Sequence, residues 1–132
     1  MEPLNKVGSY RDLLVWRKAI DLVKIVYQLT RDQGFPPEEE YGLVSQIRRA
    51  AVSIPSNIAE GQARGGTKEF VQFLYIGKGS LAEVDTQLTI SLELGFLVAQ
   101  PYHDAFQKVT ELQRMLYSLI QRPEGNTHSC GS

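Results

Sequence analysis

The chain has 132 residues, 42% of them apolar and 22% charged, and a net charge of −1. This is ordinary globular composition for one domain, large enough to bury about two-thirds of the surface its unfolded form exposes, and the near-zero charge excludes wrapping of nucleic acid by bulk electrostatics. No apolar run is longer than four residues, too short for a signal peptide or membrane span, and the single cysteine, Cys130, can form no internal disulfide; both suit the cytoplasm.

Residues 1–8 carry Pro, Asn and Gly without periodicity and are expected to fray. Ser9 is the expected N-cap of a first helix with Asp12 in its opening turn. Leu13, Trp16, Ile20, Val23, Tyr27 and Thr30 recur at helical spacing as its core stripe, widened by Leu22, Val26 and Leu29. Gly34 and Pro36-Pro37 end it, and Glu38, Glu39 and Glu40 place negative charge on the expected first turn of helix two.

The second helix, from Tyr41 to Gly61, divides into three faces at roughly 100° per residue. Leu43, Val44, Ile47, Ala50, Ala51, Ile54 and Ile58 form an apolar core face. Gln46, Arg49, Ser53, Asn57 and Glu60 stack beside it as a narrow polar stripe. The third face should be wet, yet it holds Ser45, Val52, Pro55, Ser56 and Ala59, with Arg48 its only charge. A helix without a charged outer face is usually covered there too, which points to contact with another subunit. Pro55 predicts a kink rather than a stop, because both stripes stay in phase across it.

Gly61 and Arg64-Gly65-Gly66 form the next turn, with Thr67 the expected N-cap of helix three. That helix carries Phe70, Phe73, Leu74, Leu81, Val84 and Leu88. Its small residues Gly77, Gly79 and Ser80 suit a close helix approach or a neighbouring polar group. Gly95 ends it and Pro101 begins a fourth helix, on which Ala105, Phe106, Val109, Leu112, Leu116, Leu119 and Ile120 repeat. The reading is one all-α domain over 1–121, an antiparallel up-down-up-down four-helix bundle, followed by a disordered tail over 122–132.

Chemistry is sparse. A di-metal bundle needs Glu-x-x-His motifs, and the only histidines, His103 and His128, follow Gln100 and Gly125 at that offset. One cysteine and two scattered histidines argue against zinc, so no metal or cofactor is expected. Arg64-Gly65-Gly66-Thr67-Lys68 resembles a phosphate-cradling turn but lacks Walker spacing. The distinctive constellation is the polar stripe, which helix three answers with Ser80, Glu83 and Gln87. Arg49 is expected to pair with Glu83 or Glu60, with Ser53 and Asn57 completing a structural network. An enzyme using that groove is a third functional class, and it would require a bound small molecule there.

Five segments together resemble a known family: Tyr10–Trp16 (YRDLLVW), Tyr41–Ala50 (YGLVSQIRRA), Ser53–Gly61 (SIPSNIAEG), Lys68–Leu74 (KEFVQFL) and Gly79–Glu83 (GSLAE). They look like the bacterial four helix bundle protein family related to the protein encoded in 23S rRNA intervening sequences. The accessory variability protein of diversity-generating retroelements is a relative. The resemblance covers about residues 9–120 and implies a non-enzymatic subunit assembling into a homopentameric ring. It also implies a scaffold contacting RNA or a nucleic-acid-handling protein. The retroelement relative does so through a strongly basic surface, from which the net charge of −1 departs. The residues to which RNA binding would fall are Arg48, Arg49, Arg64, Lys68 and Lys78. The competing class is a protein-binding adaptor or structural oligomer without nucleic-acid contact.

Overall fold

The computed structural model describes residues 9–123. Among them the chain is all-helical, with α1 (Leu14–Asp32), α2 (Leu43–Ala63), α3 (Thr67–Glu93) and α4 (Ala99–Gln121), two short 3-10 turns at Tyr10–Asp12 and Pro37–Glu39, and no strand. Each helix packs on the next and α4 closes back onto α1; the α2–α3 contact is the most extensive. Short links between long helices make neighbours antiparallel, which is four-helix-bundle packing. No helix among the described residues is long and apolar enough to cross a membrane. The fraying expected over 1–8 and the tail expected beyond Pro123 lie outside the described residues.

Several helix ends differ from expectation. Ser9 caps the 3-10 turn, its Oγ accepting from the Arg11 amide at 3.1 Å, and α1 begins only at Leu14. The acidic run occupies a separate 3-10 turn because Pro37 fixes the tight backbone at Glu38 and Glu39, and α2 starts after Gly42. Glu39 still serves α2: its Oε1 accepts from the Leu43 amide at 3.0 Å, satisfying an orphan donor where the helix dipole favours negative charge. Thr67 is the first residue of α3, not its cap; Gly66 holds the cap position. Gly61 is no turn residue either, since α2 runs through it to Ala63.

Gly95 does end α3, and the reason is conformational. Its φ is +82°, its amide donates to Leu92 O at 3.0 Å and the Phe96 amide to Ser91 O at 2.9 Å. That pair of bonds is a Schellman closure, which needs a left-handed residue.

The core is one cluster fed by all four helices, with Leu22 and Val26 of α1, Ile47, Ile54 and Ile58 of α2, Leu74, Leu81 and Val84 of α3, and Val109, Leu112 and Leu116 of α4 almost wholly buried. Each such side chain contributes about 1.5–3 kcal/mol by leaving water. On α1 the buried line is Val15, Ala19, Leu22, Val26, Leu29 and Thr30. The expected stripe through Trp16, Ile20, Val23 and Tyr27 lies one step round the helix on its partly exposed edge. Both lines share the same three- and four-residue steps, so periodicity does not separate them; the bulky, part-polar Trp and Tyr take the edge.

Candidate functional site

The polar stripe of α2 runs along its seam with α3, and glycine and serine bring the two helices close. A Cβ on Gly61 would stand 2.6 Å from Phe73 Cβ and 3.3 Å from Phe70 Cδ1, so only glycine fits there. Gly77 is buried with its α-carbon side toward the Ile54 carbonyl, whereas Gly79 faces open space. Just beyond the Gly77–Ile54 approach, Ser53 Oγ and Ser80 Oγ lie 2.8 Å apart. Asn57 Nδ2 donates to Ser53 Oγ at 2.9 Å and to the Ser53 carbonyl at 2.8 Å. These bonds satisfy polar groups next to the core and fix the register of α2 on α3.

The rest of the expected network is arranged differently. Glu60 pairs with Arg64 one turn on, at 2.9 Å, with both side chains about half exposed. Arg49 is exposed and, among the described residues, reaches only Ser45 Oγ, at 3.4 Å. Among the described residues no ion pair joins it to Glu83 or Glu60. Arg49 and Glu83 stand instead on facing walls of a cleft of about 300 Å³ lined by Gln46, Arg49, Ala50, Ser53, Glu83 and Gln87. Among the described residues the buried Gln87 Oε1 has no hydrogen-bond partner.

The five basic residues do not form one patch. Arg48, assigned by sequence to the outer face, is tied down between α1 and α2. Its Nε donates to Thr30 Oγ1 at 2.8 Å and its guanidinium lies 4.4 Å from the centroid of the Tyr27 ring. Thr30 in turn donates to Val26 O at 2.8 Å. Arg64 lies 5.0 Å over the Phe73 ring as well as pairing with Glu60. Lys68 and Lys78 are exposed on α3, and Lys78 Nζ is 5.9 Å from the exposed ring of Tyr75. The Arg48–Thr30 tie was not foreseen, because no local spacing pairs residues on different helices.

Opposite sides of the bundle differ in chemistry. On α2, Ser45, Arg49, Val52, Ser56 and Ala59 make one outer stripe, with Val52 40% exposed. Pro55 is not part of it, being buried. On α3 the stripe that includes Glu83 carries Ile76 and Ile90, 50% and 41% exposed, with Gly79 between them. Because Arg49 and Glu83 line one cleft, the two stripes form a continuous surface with little charge. The α1–α4 side is laced with ions instead, including Lys18–Glu111 at 3.3 Å and Arg17–Asp21 at 3.8 Å. Among the described residues no group of three His, Cys, Asp or Glu side chains could hold a metal.

A family model described as 23S rRNA-intervening sequence protein matches residues 11–118. The chain belongs to that family. The match reaches all four helices, the α2–α3 seam included. No curated protein matches it. Among solved structures it is similar to a Bacteroides thetaiotaomicron VPI-5482 protein of unknown function from the S23 ribosomal protein family. The TM-score is 0.72 at 24% identity, covering 83% of this chain and 97% of that one. At that identity the likeness shows the fold.

Proposed function

We propose that this family member is a non-enzymatic cytoplasmic scaffold whose subunits self-associate through the outer face of α2 and α3, as a homopentameric ring. The observation that carries the reading is the row of exposed aliphatic side chains set among small residues on the outer face of α2 and α3. Val52, Ile76 and Ile90 are exposed on a face that otherwise carries Ser45, Ser56, Ala59 and Gly79, with Arg49 and Glu83 its charges, while the α1–α4 side carries ion pairs beside exposed Leu14, Phe106 and Tyr117. An exposed, apolar, charge-poor surface of this kind marks a protein interface. The ring stoichiometry rests on the family resemblance. Ala59→Glu places a charge on that face without touching the core. Light scattering is expected to show the assembly splitting into smaller species; an unchanged mass would refute the interface.

The second reading adds RNA, or a protein that handles nucleic acid, as the scaffold's partner. It is favoured by the exposed Tyr75 ring beside Lys78, with Lys68 two turns away on α3. Basic side chains flanking an open aromatic ring suit a base-stacking contact, and repetition around a ring would raise avidity. Binding of single-stranded RNA is then expected to weaken steeply between about 50 and 200 mM salt and to be lost in Lys68→Gln/Lys78→Gln. Salt-insensitive binding, or none, would leave a purely protein-binding scaffold.

A further inference from the structure

The contact between Ser53 and Ser80 sets the level of the other pairs along the seam. Their hydroxyl oxygens lie 2.8 Å apart, and α2 and α3 run antiparallel, so steps back along α2 and forward along α3 lead the same way. Arg49 is four residues before Ser53 and Glu83 three after Ser80, rises of about 6 and 4.5 Å in a helix. The two therefore face each other at nearly the same height, one turn from the serine pair, and both line one cleft of about 300 Å³. The rung between them is open. Arg49 turns to Ser45 Oγ at 3.4 Å, and Glu83 joins none of the described ion pairs.

In water an open rung is no anomaly, because an exposed ion pair gains little over two hydrated ions. Covering the face changes that balance. Val52, Ile76 and Ile90 share the outer face with the cleft, and a second copy seated on them would take water away from both charges. A guanidinium or a carboxylate buried there without its partner is strongly unfavourable, whereas the closed pair is neutral. Arg49 is the group able to move: its long side chain is exposed and held in the described structure by a single long bond. The serine contact and the close approach at Gly61 and Gly77 hold the backbone beneath it in place.

We infer that Arg49 and Glu83 of one chain close into an ion pair across the cleft when a second copy covers the outer face of α2 and α3. The contact then buries a neutral rung in place of two lone charges. This rests on the self-association proposed above and says what that contact asks of the neighbour: an apolar surface with no charge of its own opposite the cleft. A charged surface brought there would have to compete with the rung, which disfavours other partners.

Sedimentation of the full chain over a concentration series tests it, using Arg49→Glu, Glu83→Arg and the Arg49→Glu/Glu83→Arg exchange. Each single reversal puts like charges on both walls and is expected to raise the dissociation constant about a hundredfold or more, the scale of a broken buried pair. The exchange rebuilds the rung in reverse and should return the constant to within about tenfold of wild type. Circular dichroism of the dilute chains should show the helices intact throughout, as both side chains are exposed. An equimolar mixture of the two single variants separates a rung within one chain from pairs between copies. A rung within the chain leaves the mixture as weak as its components, whereas pairs between copies restore assembly. Single reversals without effect, an exchange as weak as the singles, or a mixture that assembles would each overturn the rung while leaving self-association standing. A wild-type chain that stays monomeric throughout would overturn both.

Discussion

Arg48 and Arg49 are adjacent, yet they do different work. Arg48 is half-buried, bonded to Thr30 and lying on Tyr27, so its aliphatic stem and its charge both help hold α1 to α2. Arg48→Ala is expected to lower unfolding stability by about 1–3 kcal/mol, through the lost charged hydrogen bond and ring contact. Urea denaturation checks this, and a loss below about 0.5 kcal/mol, the range of ordinary surface substitutions, would contradict it. Arg49 is exposed and, among the described residues, reaches only a long contact to Ser45, so in the single chain it is not a buried charge whose removal strands a carboxylate. The amphipathic pattern showed that both arginines lay off the apolar face. It did not show which would find a partner, because that depends on where Thr30 and Tyr27 of another helix come to rest.

At the scale of elements, the seam between α2 and α3 is set by small residues. Gly61→Ala would put a methyl group 2.6 Å from Phe73 Cβ, which α3 cannot yield without moving its backbone. A cost of about 1–3 kcal/mol from overpacking is expected, against a gain of at most about 1 kcal/mol in helix propensity. Thermal melts decide the sign, and a more stable variant would mean that the helices can part there. Gly95→Ala should cost about 1–2 kcal/mol by forcing a side chain into the left-handed region, whereas Gly79→Ala, in open space, should be neutral or stabilising. The same melts measure both.

Sequence made the elements themselves legible: four long amphipathic runs, short links and a proline that α2 absorbs. Helix starts were less so, because Pro37 and Gly42 build a 3-10 turn from residues that also suit a first helical turn. The face of α1 was legible in part: Leu13, Leu22, Val26, Leu29 and Thr30 are buried as expected, while Trp16, Ile20, Val23 and Tyr27 lie on its edge, since two lines of equal period compete and packing against the other helices chooses between them. In the seam, the bonds joining Ser53, Asn57 and Ser80 follow from stripes visible in sequence. The pairings of Glu60 and Arg49 do not, because an i,i+4 partner such as Arg64 is always within reach.

For the whole molecule, the unequal sides of the bundle matter more than the net charge of −1. An outer face on α2 and α3 with exposed Val52, Ile76 and Ile90 would give the proposed self-association an apolar driving force that salt should not weaken. The most direct test is the mass of the full chain in solution by multi-angle light scattering, wild type beside Val52→Glu. The wild type is expected at five times the 14.8 kDa chain mass, and Val52→Glu at a smaller mass with its helicity intact. A wild-type protein that runs at one chain mass at every concentration would contradict the account.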